Sequence, residues 1–213
     1  MIVWSGQLGQ RAWERRAEIQ RDFADRSFFE SLRQEPYYRY TAGRVPAAAP
    51  FLGALIESTD RVTETLVHGD FSPKNVLVYD GRLVLLDYEV AHFGDPAFDV
   101  GFSTAHLLSK ANHLRALEGS FARAAAESWR AYRGEVEATS FGGEVEARAV
   151  RHTLACLLAR VDGRSPLEYL DERARQRQRA AAVALMEALP ATMPALVTAW
   201  QERLRHGEQD VAD

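Results

Sequence analysis

The chain has one cysteine, Cys156, in 213 residues, so no disulfide can form within it and a reducing compartment suits it. It has no apolar run near the roughly 20 residues that a bilayer-spanning helix needs. Its amino terminus also lacks a basic stretch followed by a long apolar one. These absences predict a cytoplasmic protein with no membrane partner. A basic excess is missing as well: 26 Lys and Arg stand against 30 Asp and Glu, a formal net charge of −4. That balance argues against a nucleic-acid partner, whose phosphates call for a basic face. Arginines do cluster at Arg173, Arg175, Arg177 and Arg179, but on a helix these positions point to different sides and predict a solvated surface. Lysine is scarcest of the charged residues, with Lys74 and Lys110 alone, and none before Lys74.

What is present is the composition of an ordinary globular protein, 46% hydrophobic and 26% charged. A chain of this length buries about 70% of its unfolded surface, so a single domain over 1–213 is expected. Trp13, Ile19, Phe23, Phe28, Phe29 and Leu32 lie among charges over 10–34 and predict one amphipathic helix or two, with a break near Asp25. Pro36 is expected to end this segment and to open a tyrosine-rich loop. A second helix is predicted from Ala49 or Pro50 to about Val62. After a loop over 90–98 every pattern is helical: 99–109, 114–133, 144–161, 167–189 and 194–205, with a glycine-containing linker over 133–143. Cys156 sits among Leu154, Leu157 and Leu158 and reads as a packed core thiol. His92, His106, His113, His152 and His206 show no zinc-type spacing.

One segment carries chemistry. His68-Gly69-Asp70-Phe71-Ser72-Pro73-Lys74-Asn75 is followed by Val76-Leu77-Val78-Tyr79, an Asp80-Gly81 turn, and Leu83-Val84-Leu85-Leu86 leading to Asp87. The two apolar runs predict buried strands in a hairpin, which brings Asn75 and Asp87 side by side with Asp70 at the mouth of the preceding loop. An amide and a carboxylate suit magnesium, which takes one or two protein oxygens and completes its shell with water and phosphate. A further carboxylate can orient a hydroxyl and accept its proton. Asp and Asn also cap turns without any chemistry, and that alternative applies to each residue alone more than to all three at this spacing.

These residues resemble the catalytic core of the aminoglycoside phosphotransferase and choline kinase superfamily, the small-molecule relatives of protein kinases. The likeness rests on His68-Gly69-Asp70 with Asn75, on Leu86-Asp87-Tyr88-Glu89 and on Gly94-Asp95-Pro96-Ala97-Phe98-Asp99. A helix and turn over 155–170 adds to it, and the whole runs from about Trp13 to about Leu189, strongest over 66–101. The resemblance implies a mainly α fold, the helical carboxy-terminal lobe of a protein-kinase-like fold with a small β hairpin carrying the site. It implies Asp70 as catalytic base, Asn75 and Asp87 as magnesium ligands, and His68 and Asp99 as supports of the loop. Lys74 either reaches a nucleotide phosphate or is a solvated loop lysine. Ser72 stands near where protein kinases place a phosphate-contacting lysine. Glu89 either meets the metal's outer sphere or a substrate amine, or is an exposed carboxylate on the same strand face as Asp87.

The implied cofactors are Mg2+ and ATP or GTP, and the implied reaction moves the terminal phosphate to a hydroxyl of a small molecule, aminoglycoside-like or an amino alcohol. Kinases of this type grip the nucleotide with a lysine on an amino-terminal strand and a glycine-rich hairpin. Here no lysine precedes Lys74, and the glycine pair in Ser5-Gly6-Gln7-Leu8-Gly9 has no flanking strands. The sequence therefore predicts the carboxy-terminal lobe without its amino-terminal β lobe, and with activity impaired in this chain alone. The alternative is a noncatalytic pseudoenzyme or binding module. Either way, the face that the other lobe would cover is expected to meet a protein partner or a second copy.

Overall fold

The structure, a computed structural model, describes residues 7, 10–137, 139 and 142–209. The glycines at 6 and 9 lie outside the described residues. The architecture is mainly helical, with two small antiparallel strand pairs among the described residues. None of its described helices is long and apolar enough to cross a membrane.

Helix α1 (Arg16–Asp22) ends before Asp25, whose Oδ1 accepts the Ser27 N–H at 2.8 Å and starts the next helix. That helix, α2, is continuous over 27–44: α-helical at Ser27–Phe29, π-helical at Glu30–Arg39 and α-helical again at Tyr40–Arg44. The expected stop at Pro36 is therefore corrected. In an α-helix the proline ring clashes with the carbonyl four residues back, and the wider π turn takes the place of that geometry. Burial of Tyr37 and Tyr38 against Phe102, Phe98 and His152 holds the segment in place. Helix α3 (Ala49–Arg61) then buries Leu52, Leu55 and Ile56, one face of a helical period.

The body is built on α4 (Ala97–His113) and α6 (Val145–Asp162), which lie against each other. Gly101 allows their close approach: a Cβ there would sit 2.4 Å from the His152 Cβ. Residues 152–159 of α6 are all buried, so this helix is apolar around most of its girth and forms the centre. Helices α5 (Glu118–Val136), α7 (Glu172–Glu187) and α8 (Met193–Gln209) enclose it. Helix α7 begins later than its apolar pattern predicts because Asp171 caps it, accepting the Ala174 N–H at 2.7 Å. The arginines expected on a solvated face mostly serve as ties: Arg175 to the Leu167 and Leu170 carbonyls, Arg177 to Asn112, and Arg179 to both oxygens of Asp162 at 2.7 Å. Cys156 is buried beside the Tyr38 hydroxyl, and burial pushes its thiol up to about 12.

Strand β1 (Thr65–Val67) pairs with β4 (His92–Gly94), and β2 (Val76–Tyr79) pairs with β3 (Arg82–Leu85). The first pair was not expected, since 90–98 reads as loop. All its residues but the half-buried Leu66 are buried, and a buried backbone needs a ladder partner. The second pair is the predicted hairpin, with Asp80 and Gly81 both at positive φ as a type I′ turn requires. Its burial is corrected: Leu77, Val78, Tyr79, Leu83, Val84 and Leu86 are exposed, and Leu85 alone is fully covered. Strand β3 also stops at Leu85, two residues short of Asp87.

Candidate active site

The 68–75 loop leaves β1 and is fixed from beneath. Gly69 has φ +78°, and a Cβ there would lie 2.6 Å from Val90 Cγ1 and 2.9 Å from the Val90 carbonyl oxygen, so the backbone passes where only glycine fits. Asp99, in the first turn of α4, accepts the His68 N–H at 2.7 Å and the Gly69 N–H at 2.9 Å. Burial raises the Asp99 pKa, opposed by His68 and by those two N–H groups. His68 is buried and braces the loop from its other side: Nδ1 accepts the Asp70 N–H at 3.1 Å, and Nε2 donates to the Leu86 carbonyl at 3.0 Å.

This bracing points Asp70 into a cluster of donors. Its Oδ2 accepts from Asn75 Nδ2 at 2.8 Å and faces Lys74 Nζ at 3.0 Å, while Oδ1 lies 3.3 Å from Arg33 Nη2. Arg33 also donates from Nε to the Gly69 carbonyl at 2.6 Å and lies over the Tyr37 and Phe102 rings. Sequence reasoning missed Arg33. It comes from the π-helical part of α2, and no local motif says that this arginine of an amphipathic helix turns toward the loop.

Asn75 donates twice, to the Asp70 carbonyl at 2.9 Å and to its carboxylate, which leaves the Asn75 amide oxygen for a cation. The Leu86 N–H reaches the Asn75 carbonyl at 2.9 Å, so Asp87 follows directly after the point where the hairpin ends meet. Asp87 is exposed and sits at φ +68°, a conformation unusual outside glycine that marks a constrained turn. No group of three or more His, Cys, Asp or Glu able to hold a metal occurs among the described residues. One amide oxygen and one carboxylate are nonetheless a donor set that fits magnesium, which keeps water and phosphate in its remaining positions. Glu89 is exposed in the turn after Asp87. The strand face expected to carry both does not form, because β3 has already ended. Ser72 is buried, and its Oγ has no hydrogen-bond partner among the described residues.

Beside the loop opens a cleft of about 610 Å³. It is bounded by residues 72–74, by His106 and Lys110 of α4, by Arg160 of α6 and by the 166–169 turn. Arg160 donates to the Ser165 carbonyl at 3.0 Å and meets His106 Nε2 at 3.1 Å. Burial, then the Arg160 charge, lower the His106 pKa to about 3 and keep the ring neutral, so that Nε2 accepts from Arg160. Lys74 belongs to both the cleft wall and the Asp70 cluster, which joins the cleft to the carboxylate.

A loop braced by a buried aspartate, a short hairpin and a helical body together define the helical lobe of a kinase-like fold. Residues 6–138 match the phosphotransferase enzyme family, more than half of the 213-residue chain, and the chain belongs to that family. A 45-residue stretch is 44% identical to methylthioribose kinase from Citrobacter koseri, covering 21% of this chain and 11% of that enzyme.

Proposed function

We propose that this lobe handles the acceptor and the metal in phosphoryl transfer from ATP or GTP to a hydroxyl of a small molecule. The observation that carries the reading is Asp70, whose carboxylate is held by Asn75, Lys74 and Arg33 beside a cleft of small-molecule size. The acceptor oxygen attacks the terminal phosphorus, a new P–O bond forms, the bridging P–O bond to the leaving diphosphate breaks, and the hydroxyl proton passes to Asp70. A magnesium ion held by Asn75 and Asp87 would neutralise phosphate charge there. Lys74, whose side chain is 61% exposed, is a mobile point charge for the phosphate, and Asp99 and His68 position the loop.

The absence of any lysine before Lys74 supports weak nucleotide affinity in this chain on its own. The exposed apolar hairpin supports a second protein surface lying over it, from a partner or another copy. These two observations favour the second reading, a noncatalytic binding module. Assaying transfer from magnesium ATP to methylthioribose, the acceptor in the relative's name, and to amino alcohols separates the two. In the catalytic reading Asp70→Asn lowers turnover by about 10² or more with the fold retained. Turnover unchanged by that substitution removes Asp70 from the base role, and tight ATP binding in calorimetry contradicts the weak-affinity proposal.

A further inference from the structure

Both lysines of the chain border the same cleft, where Arg160 joins them, while the lining includes one carboxylate, the exposed Glu168. The net charge of the chain is negative, yet this wall is positive. Two arginines of α6 show how unusual the wall is. Arg148 is surrounded by Asp95, Glu64 and Glu144. Arg160 has no ion-pair partner among the described residues; its contacts are a neutral histidine, a carbonyl and the Tyr37 and Phe102 rings. Lys110 likewise has no described carboxylate partner, and its ammonium lies 3.6 Å from the centre of the Tyr169 ring.

Polar groups here also lack partners. The Arg160 Nε, the Tyr169 hydroxyl and the Ser72 Oγ are all covered and have no hydrogen-bond partner among the described residues. Ser72 is itself fully buried. Such groups are costly to bury unpaired, but all three atoms are closed to the cleft and do not meet its occupant directly. Cations without a described carboxylate partner call for an acceptor-rich anion, and charge-assisted bonds to such a group are the strong ones.

We propose that the cleft takes a hydroxylated molecule bearing an oxyanion, a carboxylate or a phosphate group, held by Lys110 and Arg160. The anion is argued from the cleft alone, while the further step, that a hydroxyl of the same molecule faces Asp70, rests on the phosphotransferase reading. An amino-alcohol acceptor, the class that the family resemblance implies, would instead bring its own cation against these residues.

The test is direct binding by the full chain at low ionic strength, followed by ligand-observed NMR, with four hexose derivatives: gluconate, glucose 6-phosphate, glucose and glucosamine. The expected result is that at least one of the two anions binds about tenfold or more tightly than glucose, with glucosamine weakest. Gluconate and glucose 6-phosphate separate carboxylate from phosphate. Lys110→Gln and Arg160→Gln should each remove most of that preference. Arg160 ties the Ser165 carbonyl and His106, while the Lys110 ammonium meets the Tyr169 ring, so the Lys110 variant keeps the test alive if Arg160→Gln misfolds. Asp70→Asn should preserve the preference, which distinguishes this inference from the catalytic reading: loss of phosphoryl transfer with anion binding intact leaves the inference standing. Equal or tighter binding of glucosamine, no preference among the four up to millimolar concentration, or a preference that survives Lys110→Gln would overturn it.

Discussion

Two aspartates of one chain, Asp70 and Asp95, sit among cations and differ in what their partners leave free. Asp95 is buried, takes Arg148 Nε on both oxygens at 3.0 and 3.1 Å, accepts the Ala97 N–H at 2.9 Å and has His152 Nε2 3.6 Å away. Burial alone would raise its pKa, but His152, Arg148 and the Ala97 amide together hold it below the usual carboxylate range. Asp70 has three side-chain partners, yet Lys74 is mostly solvated, Arg33 is shared with the Gly69 carbonyl and two rings, and the cluster opens on a cleft. Saturated and enclosed, Asp95 ties β4 and α4 to α6. Partly exchangeable partners suit the proposed base, a carboxylate that would receive a proton and meet changing charge.

The contrast breaks most sharply by substitution. Asp70→Asn is expected to cost two orders of magnitude or more in transfer but only about 1–2 kcal/mol in stability, because the amide keeps the carboxylate's shape, the Lys74 side chain is 61% exposed, Arg33 keeps the Gly69 carbonyl and two rings, and the repulsion that Asp70 exerts on buried Asp99 is relieved. Asp95→Ala should do the reverse. It leaves the Arg148 guanidinium, 11% exposed, with Glu64 and the solvent-facing Glu144 alone, and breaking a buried pair costs about 3–5 kcal/mol. That is a drop in Tm of about 6–20 °C for a domain of this size. Thermal melts of the two variants should therefore separate widely, and equal melting temperatures would erase the distinction.

A smaller effect comes from histidines kept neutral. Burial lowers the His92 pKa to about 4 and the His106 pKa to about 3, both below the unfolded value of 6.5. Between those values the unfolded chain binds more protons, so stability is full above about pH 6.5 and falls as the pH drops. The loss approaches about 1.4 kcal/mol per pH unit for each histidine. Asp99, whose pKa is raised, opposes this trend from the acid side, since its folded form holds a proton that the unfolded chain has released. Urea midpoints at pH 7 and pH 5 should show the decline, and His106→Asn should flatten it. A midpoint independent of pH in this range would mean that these rings are charged in the folded protein.

What the sequence made legible follows from locality. The loop, the Asp-Gly turn and the hairpin occupy one short stretch, so residue types and spacing suffice to place Asp70, Asn75 and Asp87 near one another. Arg33, Lys110 and Arg160 come from three separate helices. Helical periodicity says that they are helical and polar but not which neighbour they face. Pro36 does not stop the helix because a π turn replaces α geometry there, and the β1–β4 pair carries no local signal because its strands are three residues long and 24 residues apart in the chain. The hairpin departs from its pattern for another reason. Its apolar residues occupy both faces, a pattern that reads as buried, while burial depends on what lies against them.

That ribbon gives the smallest and most discriminating test. Val78 is 69% exposed and Tyr79 72%, so in an isolated chain Val78→Lys should change stability by no more than about 0.5 kcal/mol. Two exposed strands with open edges are also a template for pairing, and a lysine on such an edge blocks it. If copies associate through this face, light scattering over a concentration series will show assembly for the parent chain and monomer for Val78→Lys, and the substitution will then appear destabilising at high concentration only. A parent chain that stays monomeric throughout removes self-association and leaves a different protein surface as the proposed occupant of the hairpin. A cost well above 0.5 kcal/mol in dilute solution, with no assembly, would place Val78 against the chain's own residues and close the face to either partner.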